Sequence, residues 1–168
     1  MKRIALISTG GTIEKTYDEL AQVLTNEVSN LDIVLDRLLL RGVELFRVQL
    51  MNKDSTEMTE DDHELIAQTA VQLSDAYDGV VVVHGTDRLT ISGDRMLEVG
   101  LAKAPIVLTG AMRPYEIRTT DAVQNLTEAL VAVQILSAGV YVVMHNQVLS
   151  FPGVAKDHAQ GTFVPIED

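Results

Sequence analysis

Two short polar segments follow runs of aliphatic residues and carry side chains that could do acyl-transfer chemistry. Residues 9–12 (Thr-Gly-Gly-Thr) follow the run at 4–7, and residues 84–87 (His-Gly-Thr-Asp) follow the run at 80–83. Each segment places a threonine hydroxyl beside glycine, and the second adds a carboxylate. A threonine hydroxyl becomes a nucleophile when a base assists removal of its proton, and glycine lets a small molecule approach the backbone. The pattern predicts a site for chemistry on a small polar molecule.

Other polar groups follow the remaining predicted strands. Asp54 and Ser55 come after the second strand, residues 109–114 (Thr-Gly-Ala-Met-Arg-Pro) follow the fourth, and Lys156 lies in the tail after the fifth. The carboxyl ends of parallel strands lie along one edge of a sheet, where α/β proteins bind their ligands. We therefore expect these residues, although distant in sequence, to meet at that edge.

This set of side chains is suited to acyl transfer through a covalent ester. Lys156 could assist a threonine if its ammonium pKa is lowered in a partly desolvated cleft, or if its proton is relayed. The carboxylate of Asp87, beside Thr86, could orient the lysine or bind a substrate ammonium group. Backbone N–H groups around Gly10, Gly11 or Thr86 could stabilise an oxyanion. The residues alone do not name the acyl group.

The elements that must position these groups alternate along the chain. Continuous Val, Ile and Leu runs predict buried strands, and apolar spacings of three and four predict helices. The βαβα order predicts a single α/β domain with a doubly wound, mostly parallel sheet flanked by helices, of the flavodoxin or Rossmann type. The predicted strands are 3–8, 43–50, 79–84, 105–109 and 140–145, and the predicted helices are 31–38, 59–77, 88–101 and 123–133.

Two regions lack such patterns. Residues 13–29 are polar and without clear periodicity, and they directly follow Thr12. A loop of this length inside a domain is usually functional or disordered, so we predict a lid over the site that is poorly ordered without ligand. From Asn146 onward the periodic pattern ends, and we predict an irregular tail.

Composition excludes several classes of partner. The chain has 168 residues, with 24 acidic against 13 basic side chains and a formal net charge of -11. Such a surface repels phosphate backbones and anionic headgroups, so we expect no nucleic-acid or membrane partner. There is no cysteine, no signal-peptide core and no segment long enough to span a membrane, so we predict a cytoplasmic protein.

Simpler interpretations of the same residues remain open at this point. Without supporting motifs, residues 10–12 would be a tight turn and Lys156 an ordinary surface lysine. His84 and His145 could be metal ligands, but no third ligand has a useful spacing, so hydrogen-bonded, partly buried histidines are the preferred interpretation. The paired glycines could indicate a phosphate loop, yet neither G-x-G-x-x-G nor a Gly-Lys-Ser/Thr motif is present.

Several motifs together resemble the signature of bacterial-type L-asparaginases. They are residues 9–13 (Thr-Gly-Gly-Thr-Ile), 84–87, 109–114 and the helix start at 121–125 (Asp-Ala-Val-Gln-Asn). Asp54-Ser55 lies where that family keeps the serine that binds the substrate carboxylate. The motifs occur in family order and span nearly the whole chain, which makes a chance resemblance improbable.

The resemblance implies roles for the threonine-bearing motifs. Thr12 would be the nucleophile that attacks a side-chain amide and releases ammonia. Thr86, Asp87 and Lys156 would form a second, triad-like group, in which Thr86 contacts substrate and handles water or the oxyanion. No metal or organic cofactor would be required.

The resemblance also implies how the substrate is held. Ser55 and Asp87 would bind its α-carboxylate and α-amino groups, with Asp54 and Gly11 as further binding residues. Tyr17 would be the flap tyrosine that assists the nucleophile, although its spacing from Thr12 is shorter than is common in the family.

Two features depart from the family pattern. The family has a C-terminal domain whose copy in a neighbouring subunit completes the site, and we expect residues 1–168 to be an N-terminal-type domain without it. We therefore expect weaker substrate binding, since a charge-assisted contact contributes roughly 1.5–3 kcal/mol. Glu14 stands where the family usually has a small residue, and it either takes over a polar contact or points to solvent.

The sequence thus predicts an amidohydrolase that converts L-asparagine to L-aspartate and ammonia through a threonine acyl-enzyme. One alternative is glutamine hydrolysis, either of free glutamine or as the ammonia source of an amidotransferase. A second alternative is a non-catalytic module that binds an amino acid or forms half of an assembly. We also expect a homo-oligomer, a dimer or tetramer, because family sites lie near subunit boundaries.

Overall fold

The aliphatic runs form the inner strands of a six-stranded sheet in the computed structural model, which describes residues 1–166. The strands of this sheet lie in the order β4-β1-β5-β6-β7-β8; the first five are parallel, and β8 is antiparallel to β7. Their bounds are β1 Lys2–Gly10, β4 Val43–Lys53, β5 Gly79–Val83, β6 Pro105–Thr109, β7 Gly139–Met144 and β8 Gln147–Ser150. The predicted mostly parallel α/β sheet is confirmed, and the antiparallel β8 makes it mixed.

Two helices cover each face of the sheet. The four helices are α1 Leu31–Asp36, α2 Glu60–Ser74, α3 Leu89–Val99 and α4 Ala122–Ala132. Alternate residues of each inner strand point to opposite faces. In β1, for example, Ile7 packs in the same core as Ile66 of α2 and Met96 of α3, whereas Leu6 packs with Val34 of α1 and Leu126 of α4. Burial on both faces explains why these strands are continuously apolar.

The start of α2 is stabilised by a capping box of Thr59 and Asp62. Thr59 accepts a hydrogen bond from the backbone N–H of Asp62, and the Asp62 carboxylate accepts one from the backbone N–H of Thr59. This capping box satisfies two backbone donors that have no partner within the helix. A hydroxyl cap followed by acidic residues in the first turn therefore begins α2.

The prediction of an irregular segment at residues 13–29 is wrong. A short 3-10 turn, Thr12–Glu14, is followed by an antiparallel hairpin of β2 Thr16–Asp18 and β3 Val23–Thr25. These strands have three residues each, too few for alternation to be visible in the sequence. We call residues 16–25 the flap. Its order in the absence of ligand stays a prediction.

The prediction of an irregular tail after Asn146 is also wrong. Strand β8 extends the main sheet, and a second hairpin pairs β9 Val154–Asp157 with β10 Thr162–Pro165. Val154 and Phe163 of this hairpin are buried in the core beneath α2 and α3. Packing of these two side chains therefore fixes the position of the β9–β10 hairpin, although its sequence shows little periodicity. Across residues 1–166, no helix combines the length and apolar character needed to cross a membrane.

Candidate active site

Two glycine turns pack against each other at the carboxyl edge of the sheet. The first glycine turn (residues 10–12) leaves β1, and the second (residues 84–87) leaves the neighbouring strand β5. Gly11 has a φ of +79°, and a Cβ atom there would overlap the backbone of Gly85. A Cβ atom on Gly85 would in turn lie 2.7 Å from Oγ of Ser55. Only glycine permits this approach, which brings three strand ends together.

Thr12 is the first residue of the 3-10 turn that follows Gly11. Its side chain is partly buried, while the preceding Gly11 and the following Ile13 are fully buried. Within residues 1–166, the Thr12 hydroxyl makes no hydrogen bond to another protein group. The turn that carries it is held instead through its backbone: Gly11 N–H donates to Lys53 O at 2.9 Å, and Glu14 N–H donates to Gly11 O at 3.1 Å.

Lys156 joins Thr86 and Asp87 in one hydrogen-bonded group. Its Nζ donates to Oγ1 of Thr86 at 2.8 Å and to Oδ1 of Asp87 at 2.7 Å. Strand β9 supplies the lysine, and the second glycine turn supplies its partners, 70 and 69 residues away in sequence. Thr86 is 5% exposed, and the side chains of Lys156 and Asp87 are 12% and 46% exposed. We call these three residues the lysine group.

Asp54 and Ser55 lie at the end of β4 with different partners. Ser55 is buried, and its Oγ accepts a hydrogen bond from the backbone N–H of Arg88 at 3.3 Å. Asp54 forms an ion pair with Lys15 at 2.7 Å and accepts hydrogen bonds from Thr56. Burial opposes ionisation of Asp54, but the hydrogen bonds from Lys15 and Thr56 outweigh it and lower its pKa to about 2.

A cleft of about 410 Å³ separates the flap from the end of β4. Leu24 and Asn26 line it on one side, and Asn52, Asp54 and Glu57 line it on the other. Lys15 also lines this cleft. Tyr17 is on the flap opposite Leu24 and is 50% exposed. No hydrogen bond within residues 1–166 connects Tyr17 to Thr12 or to the lysine group.

Four polar residues around the first glycine turn were not among the predicted site residues: Glu14, Asn26, Ser29 and Asn52. Asn26 donates through Nδ2 to the carbonyl of Gly11 at 3.0 Å and to Oδ1 of Asn52 at 3.1 Å. The buried carboxyl group of Glu14 accepts hydrogen bonds from Gly10 N–H and from the hydroxyl of Ser29. The sequence did not predict any of these hydrogen bonds. It indicated only that Glu14 is an unusual residue for this motif.

The two histidines that end strands are hydrogen-bonded at both ring nitrogens. His84 is fully buried, with Nδ1 2.7 Å from Gly85 O and Nε2 2.8 Å from Ser92 Oγ. Burial lowers the pKa of His84 to about 4. His145 pairs with Asp121 at 2.6 Å and with Thr162 at 3.1 Å. Among residues 1–166, no group of three or more His, Asp or Glu side chains is arranged to hold a metal ion.

At the carboxyl edge of a mostly parallel sheet, the structure thus brings the turn that carries Thr12 against the turn that contributes to the lysine group. Residues 3–163 match the family model described as "Asparaginase, N-terminal". The chain therefore belongs to the asparaginase family, as its motifs predicted.

Similar proteins have related descriptions. The chain is 28% identical over 163 residues to an L-asparaginase of Thermococcus kodakarensis, covering 95% of this chain and 49% of that protein. It is 33% identical to one of the subunits of a glutamyl-tRNA(Gln) amidotransferase of Haloquadratum walsbyi, over 84% of this chain and 33% of that protein. The crystallised thermostable L-asparaginase from Thermococcus kodakarensis superposes with a TM-score of 0.84 at 29% identity, over 98% of this chain and 51% of that one. The chain thus spans about half or less of the length of these relatives.

Proposed function

We propose that this chain is an amidohydrolase that converts L-asparagine to L-aspartate and ammonia through an ester on Thr12. The observation that carries the proposal is the lysine group, held beside the first glycine turn by the packing of Gly11 on Gly85. The hydroxyl, carboxylate and ammonium of this group are thereby held at a turn that packs against the turn of Thr12, whose own hydroxyl has no hydrogen-bonded partner among residues 1–166.

In the acylation step, Thr12 Oγ1 attacks the carbon of the substrate's side-chain amide. The hydroxyl proton passes to the amide nitrogen, the C–N bond breaks, and ammonia leaves an ester on Thr12. In deacylation, water attacks the ester carbon and the proton returns to Thr12 as aspartate is released. Because Lys156 donates to Thr86 Oγ1, the hydroxyl proton of Thr86 is free to hydrogen-bond to water or to the developing oxyanion.

Two side chains at this edge of the sheet, Asp87 and Ser55, would orient the substrate. Asp87 would bind the α-ammonium group, since its partly exposed carboxylate has a second oxygen beyond the one that accepts from Lys156. The Ser55 hydroxyl would bind the α-carboxylate, because the Arg88 N–H uses an acceptor position and leaves its proton free. Tyr17 would approach Thr12 when the flap closes over the substrate.

The proposal extends to the oligomeric state of the protein. We propose a homo-oligomer in which a second copy covers part of the site, and size-exclusion chromatography with light scattering measures this directly. A strict monomer would contradict it.

The proposed reaction needs no metal or organic cofactor, so activity is expected to survive treatment with EDTA. The proposed location is cytoplasmic.

Ammonia release from asparagine by the wild-type protein and Thr12→Ala tests the proposal. Loss of the hydroxyl is expected to lower kcat at least about 10³-fold, whereas Thr12→Ser keeps the nucleophile and is expected to retain activity within about tenfold. Mass spectrometry of a quenched reaction would detect an adduct on the peptide that contains Thr12. Equal rates for wild type and Thr12→Ala would contradict the proposal.

Glutamine is the second candidate substrate, favoured by the similarity to a component of a glutamyl-tRNA(Gln) amidotransferase. The two amides differ by one methylene group, which discriminates by roughly 1–3 kcal/mol in kcat/KM. A larger kcat/KM on glutamine would replace asparagine in the proposal. Amino-acid binding by calorimetry without ammonia release would favour the non-catalytic module.

A further inference from the structure

Glu14 is a buried carboxyl group that the proposed reaction does not use. It is 1% exposed, and both of its oxygens are engaged. Oε2 accepts from Gly10 N–H at 2.6 Å, and Oε1 lies 2.6 Å from the hydroxyl of Ser29, which donates to it. A carboxyl group in this position is costly to bury unless such hydrogen bonds are made. Its presence in the first turn after Thr12 therefore needs a reason.

These contacts connect the first glycine turn to the segment that directly follows the flap. Glu14 also accepts at its backbone oxygen from Asn30 N–H at 3.1 Å, and Ser29 Oγ accepts from Leu31 N–H at 3.1 Å. Asn26 adds a third connection through its hydrogen bond to Gly11 O. The chain thus leaves the turn, forms the flap and returns to be fastened to the same turn.

We propose that Glu14 is a positioning residue: by holding Ser29, which follows the flap, against the first glycine turn, it keeps Thr12 and the flap together as one unit. The inference rests on the proposed function of Thr12 as nucleophile. A small side chain at position 14 could not reach Gly10 N–H and Ser29 together. Glu14 therefore adds a connection that this motif does not otherwise contain.

The ionisation of Glu14 gives this connection a measurable signature. Burial raises the pKa of Glu14 to about 7, and hydrogen bonds from Ser29 and Gly10 only partly offset that effect. The charged groups that act on it are Arg47 of β4, which lowers the pKa, and Asp32 of α1, which raises it. Because the Ser29 hydroxyl can donate to a carboxylate or accept from a carboxylic acid, both forms can keep the connection.

The direct test compares Glu14→Ala with the wild type and with Glu19→Ala, an exposed acid of the flap. We expect amide hydrogen exchange of residues 16–25 to become at least about tenfold faster in Glu14→Ala, while exchange in β5 is unchanged. We also expect kcat for ammonia release to fall at least about tenfold with a smaller change in KM. Glu19→Ala should match the wild type in both measurements.

The conservative variant Glu14→Gln should rescue the connection. Its amide can accept from Gly10 N–H and donate to Ser29 at every pH, so flap exchange and kcat are expected within about threefold of wild type. The Gly10 amide signal in a ¹⁵N NMR titration should shift with a midpoint near the Glu14 pKa of about 7 in wild type. In Glu14→Gln this shift should be absent.

If Glu14→Ala does not fold, Ser29→Ala removes one contact and is expected to accelerate flap exchange by a smaller factor. Unchanged flap exchange and kcat in the truncation variants, or no titration of Gly10, would overturn the inference. The exchange and NMR measurements need no substrate. If the wild type releases no ammonia but Glu14→Ala still exchanges its flap amides faster than the wild type, the proposed function is contradicted. The role of Glu14 in holding the flap is then supported independently.

Discussion

The two sides of the candidate site are held in different ways. On one side, the lysine group is tied together by side chains, because Lys156 donates to both Thr86 and Asp87. On the other side, Thr12 is on a turn held by backbone hydrogen bonds and by Glu14, and its own hydroxyl is not tied to another group of residues 1–166. In the proposed reaction, the lysine group is therefore assembled before substrate binds, whereas the hydroxyl of Thr12 gains its partners on substrate binding.

The two sides are also built from different secondary-structure elements. The lysine group combines the end of an inner strand with a hairpin anchored in the core by Phe163. The Thr12 side combines the end of an inner strand with a flap of two short strands, whose tip residue Leu20 is almost fully exposed. We therefore expect disruption of the lysine group to act mainly on kcat, and disruption of the Thr12 side to act on flap order and stability as well as on kcat.

After the loss expected for Thr12→Ala, the largest effect is expected from removing the ammonium group of Lys156. Lys156→Met keeps the apolar stem but leaves Thr86 Oγ1 and Asp87 without their shared donor. We expect kcat to fall about 10²–10³-fold, corresponding to about 3–4 kcal/mol of transition-state stabilisation. Lys103→Met, in an exposed loop, is the matched control. A rate for Lys156→Met equal to that of the control would remove the lysine group from the mechanism.

A second large effect is expected from adding a methyl group between the two turns. Gly11→Ala places a Cβ atom into the backbone of Gly85 and forces alanine into a φ of +79°. Strain and overpacking together should lower the free energy of unfolding by about 3–5 kcal/mol. Urea denaturation measures this, with Gly161→Ala as a control that shares the positive φ but has open space around it. Similar losses in both variants would show that strain alone is responsible.

A pH-dependent effect is expected at Glu14. Its folded pKa of about 7 lies above the ordinary value of 4.5. The folded protein therefore binds a proton that the unfolded chain releases, and stability falls as pH rises from about 4.5 to about 7. Glu14→Gln has no charge to bury, so its stability relative to wild type should increase over that range by up to about 3 kcal/mol. Parallel curves of unfolding free energy against pH for the two proteins would contradict this.

The smallest effect is expected at the ion pair between Lys15 and Asp54, which is partly exposed. Asp54 has a lowered pKa of about 2, so its contribution is present above its ordinary pKa of 3.8 and is lost as pH falls toward 2. Lys15→Met should lower the melting temperature slightly at pH 7 and make no difference near pH 2. Because solvent screens such pairs, added salt should reduce the difference at pH 7. A salt-independent difference would point to packing of the lysine stem instead.

Local sequence determined the inner strands, the four helices and the motifs that mark the family. Continuous apolar runs bury on both faces, and the acidic capping box of α2 satisfies its own backbone, so these elements depend little on distant residues. The convergence of the strand ends also followed from sequence, because parallel strands place their carboxyl ends along one edge. The contact of Lys156 with Thr86 and Asp87 agrees with that expectation.

Only the tertiary structure decided the flap, the C-terminal hairpin and the environment of Glu14. Strands of three or four residues carry too little pattern to be recognised. They form here as local hairpins, and the core fixes the C-terminal one by burying Phe163. The burial of Glu14 likewise depends on Ser29 and on the fold of the intervening flap. The sequence offered two environments for this carboxyl group, and long-range packing selected the buried one.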